Sequence, residues 1–246
     1  GPDAAPSGPS SERLSLRPLG SVDGAPNGYV EYVPPGYGDG RRRPLLLYLH
    51  GAGENGDGSE EQLARLLDNG IPGLVRSDRW PDDRPFVVLA PQHEGGYEPG
   101  TLCPDANEIR KFLAFALRHY GVDRRRVYAT GFSCGAIGLW YYLAAHTTEV
   151  VAAAVVIAGD GNPAVAEAGC ALARVPIWAF HGSYDSVVSV YGSIRPIRRL
   201  RQCTEPKAVD LRLTVYEGVD HGSWGPTYDG SGGHDIYAWL LRHRRA

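Results

Sequence analysis

Gly131-Phe132-Ser133-Cys134-Gly135 constrains this chain more than any other stretch. Before it, Arg126-Val127-Tyr128-Ala129-Thr130 carries β-branched and aromatic residues and reads as a strand. After it, Ala136 to His146 is apolar, with aromatics at helical spacing. A chain passing from strand to helix in so few residues must turn sharply. Glycines two residues either side of the serine remove side chains that would collide there. The apex serine is expected to take a strained backbone conformation, its hydroxyl lifted clear of the strand and over a helix N-terminus, where negative charge is favoured. Alone, the pattern is weak evidence of chemistry, because the chain has 32 glycines and a Gly-rich turn without function looks the same.

The flanking pattern supplies the context. Pro44 to His50 is a continuous apolar run ending in Gly51-Ala52-Gly53, as in a strand buried on both faces. Phe86 to Pro91 is a second such run, and Val150 to Ala158, Val175 to Phe180 and Leu211 to Tyr216 come after the serine. Between them lie helical segments. Ser59 with Gln62 resembles a capping box before Leu63, Leu66 and Leu67. Asp105 with Glu108 caps a helix that aligns Ile109, Phe112, Leu113, Ala116, Leu117 and Tyr120 on one face. Ser193 to Arg201 and His234 to Arg244 are the later helices. Tyr29 to Val33 alternates and stops at Pro34-Pro35-Gly36, which predicts an antiparallel edge strand. The alternation predicts an α/β fold: one domain over 13–246, its mostly parallel sheet covered by helices on both faces. Residues 1–12, rich in Pro, Ser and Gly, are expected to form a disordered lead whose targeting segment, if one was made, has been removed; Gly1-Pro2 reads as a protease scar.

With 43% hydrophobic residues, 22% charged residues and a net charge of −3, the composition is that of an ordinary globular domain and gives no reason to expect nucleic acid as a partner. Arg242-His243-Arg244-Arg245 is short enough to be a solvated helix end. No apolar run approaches the roughly 20 residues of a membrane span. The four cysteines, none in a Cys-x-x-Cys pair, fit two disulfides in an oxidising compartment better than zinc. Of the pairings they allow, Cys170 with Cys203 and Cys103 with Cys134 are expected. The first braces the segments around the strand that leads to Asp185, and the second ties the serine turn to the loop before a helix.

In parallel sheets ligands bind at the carboxyl ends of strands. Those ends carry His50-Gly51-Ala52-Gly53, Gln92-His93, Ser133, Asp160, His181 to Asp185, and Asp220-His221. A serine hydroxyl needs a base, and His221, after the last strand, is the best placed of the eight histidines. His234 is the rival. His119, His146 and His243 read as surface residues, His50 and His181 as structural ones. A carboxylate must orient the imidazole, and Asp185 is expected there, with Asp160 the alternative. Asp220 reads as a turn former. Backbone N–H groups of Cys134 and Ala52 are the expected oxyanion donors, and the Cys134 side chain is read as a half-cystine.

The stretches Leu49 to Glu54, Gly131 to Gly135, Val175 to Gly182 with Asp185, and Gly218 to Trp224 together resemble the α/β-hydrolase superfamily. Within it they are similar to dienelactone-hydrolase-like and prolyl-oligopeptidase-like esterases, including secreted feruloyl esterases and polyester depolymerases. The resemblance runs from about Tyr29 to the end of the chain. It implies a Ser133, Asp185, His221 triad and a two-step hydrolysis through an acyl-enzyme, with no metal and no cofactor. Cys134 departs from the Met or other apolar residue that many relatives carry there, so the motif leaves the subfamily and its substrate undetermined. Trp224 and Tyr184 are expected to shape the substrate pocket. Gln92 to Pro104 and Gly159 to Ala173 are the only long insertions above the sheet, which predicts an open cleft and a plant-derived or polymeric ester. The expected protein is a secreted, monomeric enzyme, with neither nucleic acid nor membrane as partner. A serine peptidase or an acyltransferase would use the same triad; a binding module on a hydrolase scaffold is the reading without catalysis.

Overall fold

The computed structural model describes residues 4–246. Its strands are β1 (Leu14–Arg17), β2 (Tyr29–Tyr32), β3 (Arg43–Leu49), β4 (Val87–Pro91), β5 (Val122–Phe132), β6 (Ala153–Ile157), β7 (Ile177–Gly182) and β8 (Leu211–Tyr216). They form a single sheet in the order β1-β2-β4-β3-β5-β6-β7-β8. Every pairing from β4 to β8 is parallel, while β2 runs antiparallel to both β1 and β4. The helices are α1 (Glu60–Leu63), α2 (Gly70–Arg76), α3 (Ala106–His119), α4 (Cys134–His146), α5 (Asn162–Ala168), α6 (Tyr191–Arg201), α7 (Trp224–Tyr228) and α8 (Ile236–Leu241).

The continuous apolar runs are explained by burial on both sides of the sheet. In β3, Leu45, Leu47 and Leu49 pack into the core beneath α3 to α6, whereas Leu46 and Tyr48 face the core beneath α2, α7 and α8. Side chains alternate along a strand, so one run must be apolar throughout to fill two cores. The Ser59 hydroxyl caps α1 by accepting from Gln62 N at 3.2 Å, and Asp105 caps α3 by accepting from Glu108 N at 2.8 Å. Gln62 does not complete the box; its side chain accepts from Asp57 N instead.

The structure departs from the sequence reading in several further places. Residues 1–3 of the expected disordered lead lie outside the described residues, but the rest of that segment is ordered against the domain. Ala5 exchanges backbone hydrogen bonds with Gly36 and Tyr37, and Ser10–Arg13 forms a 3-10 turn. The Arg13 guanidinium, 1% exposed, gathers the carbonyls of Pro6, Gly8 and Val33 and pairs with Asp82. A buried guanidinium needs such acceptors, and here the segment itself supplies several of them. Second, β1 is the sheet edge, so Tyr29–Tyr32 lies one strand in. Third, Gly159 to Ala173 is not an open insertion: α5 and a 3-10 turn over Gly169–Arg174 occupy most of it. Fourth, the last helix spans Ile236–Leu241 only. Asp235 caps its start, and soon after its end the His243 carbonyl accepts from the Tyr128 hydroxyl at 2.6 Å. Both expected disulfides form, Cys103–Cys134 and Cys170–Cys203. Among the described residues no helix is long and apolar enough to cross a membrane.

Candidate active site

β5 ends at Phe132 and α4 begins at Cys134, which leaves Ser133 alone at the turn with φ 51° and ψ −120°. Few non-glycine residues hold such a conformation, and here the surroundings enforce it. Ser133 N donates to Ile157 O at 2.8 Å, tying the turn to the end of β6. The glycines are required by close approach. A Cβ on Gly135 would lie 2.1 Å from the carbonyl oxygen of Leu49, and one on Gly131 would lie 2.6 Å from the carbonyl carbon of Gly135. The start of α4 therefore presses on the end of β3, beside the turn that carries Ala52.

Ser133 Oγ lies 2.9 Å from His221 Nε2, and His221 Nδ1 lies 2.8 Å from Asp185 Oδ2. Three loops at the carboxyl edge of the sheet thus meet, serine and histidine being 88 positions apart in sequence and aspartate and histidine 36. The Asp185 side chain is fully buried. Its Oδ1 accepts from the backbone N–H groups of Val187 and Val188, at 2.9 and 2.8 Å, which offsets part of the cost of burying a carboxylate. Oδ2 has a second neighbour, His181 Nε2 at 3.2 Å. Burial lowers the His181 pKa and keeps the ring neutral. Nε2 faces two acceptors, Asp185 and the Val188 carbonyl at 2.9 Å, so it carries the proton and Nδ1 accepts from the Ser193 hydroxyl at 2.7 Å.

The other candidates lie apart. Asp160 accepts from the backbone and side-chain N–H groups of Asn162 at the start of α5. Asp220 zips two loops together, taking Ser186 N, Ser186 Oγ and His221 N on one oxygen. His234 packs edge-on against Trp178 and Phe180. His50 is buried, with Nδ1 on the Gly51 carbonyl and Nε2 accepting from His93 N, and burial pushes its pKa down to about 4.

Ala52 begins a 3-10 turn, Ala52–Glu54, and Cys134 begins α4. First-turn N–H groups have no intrahelical acceptor, so both amides are left for another partner. Trp224 stacks on Phe132 with ring centroids 4.3 Å apart and meets the His221 ring nearly at right angles, at 5.2 Å and 84°. Tyr184, 69% exposed, lies on the loop after β7 and makes no comparable ring contact among the described residues. Sequence reasoning missed His181 as a neighbour of Asp185, although His-x-x-x-Asp at a strand end is a usable signal. It also missed Asn69, whose Oδ1 accepts from Trp224 Nε1 at 3.1 Å across 155 residues and leaves no local trace. A cavity of about 300 Å³, lined in part by Asn69, Gly225 and Tyr228, adjoins this corner. Among the described residues no group of three or more His, Cys, Asp or Glu is arranged to hold a metal ion.

Sheet order, serine turn and loop placement are those of an α/β-hydrolase. The model of the dienelactone hydrolase family matches residues 105–230, just over half of the chain, and the chain belongs to that family. It is 29% identical over 173 residues to feruloyl esterase B of Piromyces equi, a match covering 67% of this chain and 30% of that protein. A bifunctional acetylxylan esterase/xylanase of Neocallimastix patriciarum is 25% identical over 197 residues, covering 74% of this chain and 26% of that protein. The chain thus spans less than a third of the length of these curated relatives. Among solved structures, a thermostable esterase superposes with a TM-score of 0.67 at 27% identity, covering 95% of this chain and 64% of that one.

Proposed function

We propose that this protein is a serine carboxylic-ester hydrolase working through an acyl-enzyme, with Ser133 as nucleophile, His221 as general base and Asp185 as the carboxylate that orients it. The observation that carries this reading is the unbroken hydrogen-bonded run Ser133 Oγ, His221 Nε2, His221 Nδ1, Asp185 Oδ2. In the first step His221 Nε2 takes the hydroxyl proton as Ser133 Oγ attacks the ester carbonyl, and then returns it to the departing alcohol. In the second, His221 activates water against the acyl-serine. Asp185 holds the Nδ1–H tautomer and balances the imidazolium. The Ala52 and Cys134 amides receive the oxyanion, each worth about 3 kcal/mol of barrier. Trp224 forms a wall of the acyl or aryl pocket, and Tyr184 belongs to its exposed rim.

The substrates favoured are esters of plant cell-wall material. Support comes from the names of the two curated relatives, feruloyl esterase and acetylxylan esterase/xylanase. The two disulfides support a secreted protein in an oxidising compartment. The test is incubation with a fluorophosphonate followed by peptide mapping, run beside a panel of acetyl, feruloyl, lipid and polyester substrates. An adduct on Ser133 is expected, together with hydrolysis of at least one ester class. Ser133→Ala is expected to lower kcat by about 10⁴ to 10⁶; a loss of only a few-fold removes Ser133 from the reaction.

A further inference from the structure

Asn69 occupies the N-cap position of α2 but does not cap it: no side-chain hydrogen bond to the helix is made. An N-cap asparagine that turns away forgoes roughly 1 kcal/mol of helix stabilisation. Its two amide ends are used elsewhere. Oδ1 accepts from Trp224 Nε1 at 3.1 Å, and Nδ2 donates to Glu54 Oε1 at 2.9 Å. The orientation of the amide is fixed by its partners, because an indole N–H only donates and therefore must meet the oxygen. Asn69 is itself held from below. Gly70 has φ 54°, and a Cβ there would fall 2.0 Å from the Tyr48 hydroxyl, so the start of α2 rests directly on the sheet.

The two partners belong to opposite sides of the reaction centre. Glu54 ends the 3-10 turn that begins at Ala52, and its carboxyl is largely buried beside Gly51. Burial raises its pKa, and the Asn69 hydrogen bond opposes that rise. Trp224 stacks on Phe132, the residue before Ser133, and abuts the His221 ring. One amide therefore joins the turn bearing an oxyanion donor to the wall against which the base rests.

We infer that Asn69 is a positioning residue that sets the distance between the Ala52 turn and the Trp224 wall of His221, an inference that rests on the ester-hydrolase reading above. It acts through Glu54 and Trp224 and does not touch the reacting atoms. A loosened bridge lets the oxyanion amide and the imidazole drift relative to each other, and misplacement of catalytic groups by about 1 Å costs up to about a hundredfold in rate. Ground-state binding depends on that spacing less than the transition state does.

The experiment measures kcat and KM separately on a small aryl ester for wild type, Asn69→Leu, Trp224→Phe and the double variant. Asn69→Leu is expected to lower kcat by about ten- to a hundredfold while KM moves less than about threefold. The double variant is expected to lose no more than the worse single one, because both cut the same link. Full kcat in Asn69→Leu, or multiplicative losses in the double variant, overturns the inference. Should Asn69→Leu not fold, Asn69→Asp carries the test. It keeps the acceptor for the indole but sets a second carboxyl against Glu54, and the pair repels once both are ionised. Its kcat relative to wild type is then expected to fall as pH rises and both carboxyls ionise, whereas a ratio independent of pH overturns the inference. Wild-type protein that hydrolyses no ester and takes no fluorophosphonate on Ser133 removes the parent reading, and this one with it. Wild type active on both counts beside a fully active Asn69→Leu removes this one alone.

Discussion

Ser133, His221 and Asp185 could be read from sequence because each follows a strand, and the sheet delivers all strand ends to one edge. Asp160 obeys the same rule, and only coordinates separate the two acids: Asp185 meets the ring, while Asp160 is engaged with Asn162. Asn69 and Glu54 could not be read that way. Their partners are brought close by packing, and neither spacing nor periodicity records such meetings. For Asp185→Asn we expect a fall in kcat of about 10⁴, since the amide offers its N–H where an acceptor is needed and favours the wrong imidazole tautomer. Steady-state kinetics checks this, and a loss below tenfold would remove Asp185 from the proposed triad.

Long buried strands and α3 declared themselves through period, length and caps. Short elements did not. β1 is four residues long, and α2, α5 and α7 span seven, seven and five, too few for a periodic signal. The serine turn is an element whose requirement is steric. Gly135→Ala must open the contact between α4 and the Leu49 carbonyl, where the added carbon would sit at 2.1 Å. Activity is expected to fall along with thermal stability, and an enzyme with wild-type kcat and melting temperature would show that the turn tolerates a side chain. The disulfides offer a contrast. Each closes a loop of just over thirty residues, worth about 4 kcal/mol on chain-entropy grounds. Replacing Cys170 and Cys203 by serine is expected to lower the denaturation midpoint and leave kcat within about twofold. Replacing Cys103 and Cys134 is expected to lower both, because Cys134 follows the proposed nucleophile and carries a proposed oxyanion amide. Equal kinetic effects from the two pairs would contradict that division.

Across the whole molecule, buried histidines contribute to how stability depends on pH. His50, held at about 4 by burial, is neutral when folded and titrates near 6.5 when unfolded. Its contribution is complete above about pH 6.5 and lost as pH falls toward 4, about 3 kcal/mol in all. His181, lowered by burial, acts in the same direction. His93 opposes them: burial disfavours its charge, but the Glu108 carboxylate and the Thr101 carbonyl outweigh that and raise its pKa. Its share is present below the ordinary histidine value and lost as pH rises through the raised one. Urea midpoints measured from pH 4 to 7 should fall on the acid side, and His50→Gln should flatten that fall. An unchanged slope would show that other groups control it.

The pairing of the cysteines has a consequence for how such a chain matures. Cys103 joins Cys134, and Cys170 joins Cys203, so each bridge links neighbours in order of synthesis and the two rings neither nest nor overlap. A polypeptide threaded N-terminus first into an oxidant meets each correct partner next. Sequential oxidation of an emerging chain then pairs each cysteine with its native partner before the next pair appears, an order that is lost when all four thiols of the reduced full-length protein are oxidised at once.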